Sequence, residues 1–358
     1  GGAGGEAVPT SADDVYFDAA SGAVSVTVAA ASNCLSLNFT GFTGTFAGAS
    51  ALSIYGSLTM ASGMTNNYTG AITFAATSAK TITTNGKALA SAIIFNGNGG
   101  SWQLQDALAT TGAVTLTNGT LDTKSQSVSS LTFATAAGTK TLSLGSTTWT
   151  LTGNAATIWN WSVTTATMIG GGATIASNYS GVTGTRTITM GLDINNPSLS
   201  ITAGTDIVLI SAAYLKNLNF TGFAGTFSAT SGALSIYGNL TLAAGMTNSY
   251  TAALTFAATP AKSVTAQDTT PIGVTFNSDG TKMYIMGNIN DTVFQYTLGT
   301  AWDVSTASYA SLSTSVTAQD VSPVGVTFNS DGTKMYIMGF TNDTVYQYTL
   351  GTAWDVST

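Results

Sequence analysis

Residues 35–56 read LSLNFTGFTGTFAGASALSIYG, and their pattern sets the fold class. Short runs such as LSLNF and LSIYG carry apolar side chains at alternate positions, and Gly, Ser or Asn separates the runs. This alternation is typical of β-strands, whereas an amphipathic helix needs apolar residues three and four positions apart. Similar runs follow one another for roughly 250 residues, too closely spaced for helices between them. The sequence therefore predicts an all-β protein.

The number of strand-like runs favours a β-solenoid, or an array of stacked β-modules, over a single sandwich, which needs only about seven strands. Solenoid coils can be added indefinitely, because each coil covers the core of the last. Small Thr, Ser and Ala side chains tolerate stacking of coils about 4.8 Å apart. Asn96, Asn98 and Asn118 are predicted at turns with positive φ or in asparagine ladders between coils.

The chain contains two kinds of internal repeat. LNFTGF at 37–42 returns at 218–223, and ALSIYG at 51–56 returns at 233–238. Separately, a 44-residue segment beginning SVTAQD at 263 returns 52 residues later with six differences. Repeats of this kind indicate modular, stacked architecture.

The 52-residue repeat has a plan of its own. Asp279 and Gly280, and their copies 52 residues later, form a strong hairpin turn signal. The strand that follows carries apolar residues on both faces, with Met283 and Ile285 on one of them. Burial on both faces is expected when small sheets stack face to face, as the blades of a propeller do.

Several motifs resemble known families. FNSDGTKMYIMG followed by NDTVYQYTL resembles the blade of YVTN- and NHL-like β-propellers, and the AWDVST tail is similar to propeller repeats of marine phage and environmental bacterial proteins. VPTSADDVYFDAASG, LNFTGF, LSIYGSLTM and GSWQLQDAL are similar to Gly/Thr-rich repeats of phage tail fibre or spike proteins and of large bacterial adhesins. The resemblance covers most of residues 8–358. It implies a structural or attachment role at a surface, without shared catalytic residues.

These observations predict an all-β chain in four segments. The segments are a Gly-rich lead at 1–10, a first β-solenoid-like module at 11–192, a partial second copy at 193–262, and two propeller-like repeats at 263–358, the second incomplete. Propellers close with about four to eight blades. Either the polypeptide continues past Thr358, or several chains pool their blades, or the repeats form a flat stacked sheet.

Composition narrows the function classes. Only 7% of the 358 residues are charged, and the net charge is −7. The nine Lys and Arg residues do not cluster, so a nucleic-acid surface is not expected. The longest apolar stretches are interrupted, which argues against a membrane span. No signal peptide is visible, and because residue 1 is Gly, the chain is interpreted as processed or as a fragment.

Enzyme chemistry has few candidate residues. The chain has no His, which excludes the common catalytic triads and most zinc sites, and no cofactor or metal is expected. A glycosidase would need paired carboxylates. The candidates for such a pair are Asp106, Asp122, Asp193 and Asp206. Isolated solvent-facing or turn aspartates are the favoured interpretation of all four.

Seven further aspartates are interpreted as residues of turns or caps. Asp13, Asp14 and Asp18 could suggest a calcium site, but they lack the ligand spacing of a calcium loop, so capping or turn formation is favoured. Asp279 and its copy Asp331 are expected in hairpins. Asx-type turns are expected at two further positions, Asp291 and Asp343.

The aromatic residues offer the best binding hypothesis, because sugars stack on exposed rings. The six tryptophans are Trp102, Trp149, Trp159, Trp161, Trp302 and Trp354. Packing within or between repeats is the favoured alternative for them. Four phenylalanines are expected in the core, namely Phe39, Phe42, Phe220 and Phe223. The single cysteine, Cys34, is expected as a small buried hydrophobe.

Taken together, the sequence predicts a non-enzymatic virion fibre or spike protein that takes part in attachment to a host surface. It would self-associate as a homotrimer, bind other virion or surface proteins, and could contact a cell-surface glycan. A secreted bacterial adhesin or extracellular filament protein is the alternative, and a polysaccharide depolymerase is a third.

Overall fold

The computed structural model describes residues 8–161, 165–181, 184–191, 195–211, 213–228, 232–256 and 261–358. Residues 1–7 of the expected Gly-rich lead therefore lie outside the described residues. The chain divides into two compact units, Gly1–Ala257 and Ala258–Thr358. Apart from two 3₁₀ turns, Ala19–Ser21 and Val304–Thr306, the regular structure of the described residues is strand. The prediction of an all-β protein is confirmed.

The described part of the first unit contains thirty strands. The first ten are β1 (Val15–Tyr16), β2 (Ser25–Val28), β3 (Ser32–Cys34), β4 (Leu37–Asn38), β5 (Thr45–Gly48), β6 (Leu52–Ile54), β7 (Leu58–Thr59), β8 (Thr65–Tyr68), β9 (Ile72–Phe74) and β10 (Ala79–Thr83). The next ten are β11 (Ile93–Leu104), β12 (Leu108–Ala109), β13 (Val114–Asp122), β14 (Val128–Ser130), β15 (Phe133–Thr135), β16 (Lys140–Ser143), β17 (Thr148–Leu151), β18 (Thr157–Asn160), β19 (Ala166–Ile169) and β20 (Thr174–Ser177). The last ten are β21 (Thr185–Thr189), β22 (Ser198–Ile201), β23 (Ile207–Ile210), β24 (Ala213–Leu215), β25 (Leu218–Asn219), β26 (Thr226–Ser228), β27 (Leu234–Ile236), β28 (Leu240–Thr241), β29 (Thr247–Asn248) and β30 (Leu254–Phe256).

These strands form a β-solenoid with three sides, which confirms that prediction. Side 1 is a parallel ladder that begins β1, β4, β7, β10, and side 2 begins β3, β6, β9. Side 3 begins β2, β5, β8 and includes the ladder from β12 to β28. The long strands β11 and β13 each turn a corner and pair on two sides. One coil takes 19 residues between Val114 and Phe133 but 30 between Thr157 and Thr187.

The core follows directly from the alternation in sequence. On side 2, Ile54, Phe74 and Phe95 point inward and are fully buried. The neighbouring residues along each of these strands face outward. Phe74 and Phe95 are register partners, so their rings stack at 5.2 Å with only 14° between the planes. A continuous apolar core runs through the solenoid from Cys34 to Ile236. Burial of this core on every coil supplies the main driving force for stacking.

The second copy of the first module lies one side further round the solenoid than the first copy. The Leu-Asn pair at 37–38 forms β4 on side 1, whereas the matching pair at 218–219 forms β25 on side 3. Side 3 is continuous across the gap between β8 and β12, because Asn66 Nδ2 donates to Ala88 O and Leu89 pairs with Thr110. The same local sequence therefore fits two different sides.

The second unit contains two antiparallel sheets. The first sheet has the order β31 (Pro271–Phe276), β32 (Lys282–Gly287), β33 (Thr292–Leu298) and β34 (Ala307–Ser315). The second sheet has the order β35 (Pro323–Phe328), β36 (Lys334–Gly339) and β37 (Thr344–Thr349). The predicted Asp-Gly hairpins are confirmed, since β31 pairs with β32 and β35 pairs with β36. Gly280 takes φ of +72°, and the indole of Trp302 lies against it where a Cβ would stand.

Candidate functional site

The tryptophans of the solenoid form no sugar-binding surface. Trp102, Trp149, Trp159 and Trp161 are all buried, so the sugar-stacking hypothesis is wrong for these four. Trp102, Trp149 and Trp159 are buried at strand positions, and Trp161 is buried directly after β18. Trp149 donates its indole hydrogen to Ser130 Oγ at 2.9 Å within the core.

The expected core residues are confirmed by their burial. Phe39, Phe42, Phe220 and Phe223 are buried within the solenoid. Cys34 is also buried, and burial, with a smaller contribution from the charge of Asp14, raises the pKa of its thiol to about 11. A thiol with so high a pKa is almost entirely protonated at neutral pH and is a poor nucleophile.

The carboxylates of Asp106 and Asp122 both accept hydrogen bonds from main-chain amides, Asp106 between coils and Asp122 within its own turn. Asp106 accepts hydrogen bonds from the amides of Thr84 and Asn85 on the coil before it. Asp122 accepts from the amide of Lys124 at 3.0 Å and forms a salt bridge with its ammonium group. The predicted candidate Asp193 lies outside the described residues.

Asp206 belongs to a buried ion pair that the sequence did not predict. Arg186 donates from Nε and Nη2 to the two carboxylate oxygens at 2.6 and 2.8 Å. It also donates to Ser177 Oγ, and its guanidinium lies over the rings of Tyr179 and Phe223. A signal was present: the one arginine of the chain stands 20 residues before an aspartate, about one coil. Without the coil length the pair cannot be recognised.

Asp13 and Asp18 act in turns, as predicted, whereas Asp14 bonds to another coil. Asp13 accepts from the amide and hydroxyl of Thr10 at 2.9 and 2.6 Å, which lowers the pKa of its carboxyl. Asp14 accepts from the amide of Ser36 on the next coil. Asp18 caps the 3₁₀ turn and exchanges hydrogen bonds with Ser21. In the described part of the chain, no three Cys, Asp or Glu residues come together as a metal site would require.

The asparagines between coils form a ladder. Asn118 donates from Nδ2 to Asn96 Oδ1 at 2.8 Å, which confirms the predicted ladder for this pair. The positive φ angles fall on the neighbouring Gly99 and Gly119 and not on the asparagines, so that alternative is wrong. Asn38, the last residue of β4, accepts hydrogen bonds from the amide and hydroxyl of Thr40.

The turn aspartates of the second unit differ in their hydrogen bonds. Asp279 accepts from the amide and hydroxyl of Thr281 at 2.9 and 2.6 Å, and its copy Asp331 makes the same contacts. Asp291 has φ of +43° in the turn after β32, but its Oδ1 is buried without a hydrogen-bond partner among the described residues. The predicted Asx-type turn is therefore wrong at Asp291. Asp343 also has a positive φ.

Two buried aspartates of the second unit were missed because they stand in coil before a strand. Asp268 accepts from the amides of Thr270, Ile289 and Asn290 at 2.7 to 3.1 Å. Asp320 repeats this arrangement 52 residues later. Each carboxylate ties the segment before its sheet to the turn between the second and third strands.

The two sheets of the second unit pack face to face through aromatic side chains. The ring of Tyr284 lies 4.3 Å from that of Phe328, and its hydroxyl donates to Trp354 O at 2.8 Å. Gln295 Oε1 accepts from the amide of Val356 at 3.1 Å. The favoured interpretation of the recurring tryptophan, packing between repeats, is confirmed for Trp354. Trp302, its copy in the first sheet, is 56% exposed.

Two apolar cavities of the described residues offer surfaces for a ligand. One, of about 510 Å³, lies against the first sheet of the second unit and is lined by Val264, Ile272, Val274 and Ile285, among others. The other, of about 460 Å³, lies at the first coils of the solenoid beside Phe17 and Cys34. Both linings consist mainly of apolar side chains, so both suit apolar partners.

No protein-family model matches the chain, and neither the curated proteins nor the solved structures include a match. Among the described residues, no helix has the length and apolar character needed to cross a membrane.

Proposed function

We propose that this chain is a non-enzymatic component of a virion fibre or spike and that it takes part in attachment to a host surface. The observation that carries the proposal is the solenoid itself. Side 2 alone stacks eleven strands, from β3 to β29, which gives a length of roughly 50 Å at about 4.8 Å per coil. A rod whose outward positions are mostly uncharged Ser, Thr and Asn suits a spacer between an anchor and a target.

The second unit would supply a surface for attachment or assembly. Its two sheets are proposed as blades of a propeller-like domain. Support comes from the antiparallel order of each sheet, the Asp-Gly hairpins and the face-to-face packing of Tyr284 on Phe328. Trp302 and Phe340 are large, exposed aromatic side chains of this unit and suit contact with a glycan.

The proposed location is the virion surface, and the proposed assembly is a homotrimer that contacts other virion or surface proteins. The electrostatics support a structural role, because several charged groups of the solenoid bond between coils: Asp14 and Asp106 accept from main-chain amides, and Arg186 pairs with Asp206.

Immunogold labelling tests the proposal. An antibody against the purified chain is expected to label fibres or spikes of virus particles from the source of the gene. Labelling of bacterial surfaces without labelling of particles would contradict the virion location. Incubation of the chain with host polysaccharide is expected to release no reducing ends, and release that Asp106→Asn and Asp122→Asn variants abolish would contradict the non-enzymatic role.

A further inference from the structure

Residues that are identical in the two repeats differ sharply in exposure, and the difference maps the contact between the sheets. Met286 and Val293 of the first sheet are fully buried. Their copies in the second sheet, Met338 and Val345, are 47% and 58% exposed. Met286 and Met338 both lie on the middle hairpin strand of their sheets, so their difference arises because the first sheet is covered on this face by the second. Val293 is in addition flanked by β34, whereas Val345 lies on β37, an edge strand of its three-stranded sheet.

The outgoing face of the first sheet is the face that carries Tyr284, Met286, Val293 and Gln295, and the outgoing face of the second sheet carries their copies 52 residues later. In the second sheet, the outgoing face consists of Tyr336, Met338, Val345 and Gln347, and it is open. The incoming face of a sheet is the surface against which the outgoing face of another sheet packs.

In the second sheet, the incoming face contains Phe328, Trp354 and Val356, which contact the outgoing face of the first sheet. In the first sheet, the corresponding residues are Phe276, Trp302 and Val304. This second incoming face is open: Trp302 is exposed, and Val304 lines the apolar cavity of about 510 Å³.

The geometry points to head-to-tail association, in which the open outgoing face of one copy of this chain seats on the open incoming face of a second copy. The two open faces are the two halves of the contact already present between the sheets. The new contact would repeat its hydrogen bond, with the Tyr336 hydroxyl donating to Trp302 O of the second copy. This inference does not rest on the proposed function.

Charge complementarity favours the same pairing. Within the chain, Lys282 Nζ donates to Trp354 O at 3.0 Å. Hydrogen bonds from Ser357 and, to a smaller extent, the charge of Lys282 lower the pKa of the Asp355 carboxyl. The equivalent pair across the new contact is Lys334 of one copy and Asp303 of the next. The association is heterologous, so copies add until a ring closes or a filament grows.

Two variants of the full chain test the inference by analytical ultracentrifugation. Val345→Glu places a charge on the open outgoing face, and Val274→Glu places one beside the open incoming face; both positions are exposed, so folding should survive. Ile169→Glu, at an exposed position of the solenoid, is the matched control. The wild-type chain and the control are expected to form assemblies larger than one copy, and each of the two variants alone is expected to be a monomer.

Mixing the two variants is the decisive measurement. Each variant keeps one intact face, so the mixture is expected to form a one-to-one dimer and nothing larger. A wild-type chain that stays monomeric at the highest soluble concentration, variants that still assemble alone, or a mixture that stays monomeric would overturn the inference. Wild-type assemblies of a size other than three copies support the inference and contradict the homotrimer of the proposed function.

Discussion

The hydroxyl of Tyr284 donates its hydrogen to the main-chain oxygen of Trp354 across 2.8 Å, and this bond between residues 70 positions apart joins the two repeats of the second unit. Burial, reinforced by the charges of Asp355 and Asp279, raises the pKa of the Tyr284 phenol well above its ordinary value. The phenol therefore stays protonated and remains a donor at all physiological pH values.

Replacement of Tyr284 by Phe removes this bond and keeps the ring contact with Phe328. We expect the free energy of unfolding of the second unit to fall by about 0.5–1.5 kcal/mol, the usual net worth of one hydrogen bond. Chemical denaturation at a concentration at which the chain is monomeric measures the change. Tyr336→Phe is the control, since its hydroxyl has no hydrogen-bond partner in the described part of the chain, and the expected change is below about 0.5 kcal/mol. Equal losses in the two variants would contradict the assignment.

Arg186→Gln breaks the buried ion pair and leaves the carboxylate of Asp206 without a cation. We expect a loss of about 3–5 kcal/mol in the stability of the solenoid, because the remaining charge is buried. Lys124→Gln breaks the exposed pair with Asp122 and is expected to cost less than about 1 kcal/mol. Urea denaturation followed by circular dichroism measures both variants, and similar losses would show that the Arg186 pair is not the stronger contact.

Gly97→Ala tests the close approach of neighbouring coils. A Cβ at this position would overlap the carbonyl oxygen of Ala76 on the coil before it. We expect destabilisation of about 1–3 kcal/mol, as is typical of overpacking. Gly171→Ala is the control, since no atom lies within 4 Å of its added Cβ. An unchanged melting temperature for Gly97→Ala would mean that the coils are less tightly stacked.

Cys34 is expected to react slowly with thiol reagents in the native chain. With a pKa of about 11, only about 0.1% of the thiol is ionised at pH 8, against roughly a tenth or more at an ordinary pKa. The rate of modification by a disulfide reagent should therefore be at least about 100-fold lower in the native chain than in guanidinium. Equal rates would contradict the burial of Cys34.

The second unit should lose stability in acid. Hydrogen bonds from the side chain and amide of Thr281 hold the pKa of Asp279 below its ordinary value, and Thr333 does the same for Asp331. A lowered folded-state pKa means that the stabilisation is present above the unfolded value of about 3.9 and is lost as the pH falls through the folded value. We expect a lower melting temperature at pH 2 than at pH 6.

The variant Thr333→Val isolates the contribution of one turn. It should raise the pKa of the Asp331 carboxyl toward its ordinary value, as followed by nuclear magnetic resonance titration. Thr349→Val, at an exposed strand position, should leave that pKa unchanged. A pKa that is the same in both variants would remove the Thr333 hydroxyl as a cause.

Local features could be predicted from sequence, because alternation and turn residues act over a few positions. The run LSIYG predicted β6, and Asp-Gly predicted the hairpin between β31 and β32. The contacts made by Arg186 and Tyr284 could not be predicted, because they depend on coil length and on how the two sheets face each other. The same limit explains the tryptophans: whether Trp149 faces inward depends on which side of its strand meets the core.

The placement of β4 on side 1 and of its copy β25 on side 3 has an evolutionary consequence. A gene duplication in this solenoid need not span a whole number of coils. The leucine of a duplicated strand is buried equally well on whichever side of the solenoid the strand occupies. The solenoid can therefore lengthen or shorten by one side of a coil at a time and keep its strands in register. Natural variants of unequal length should differ by increments smaller than one coil.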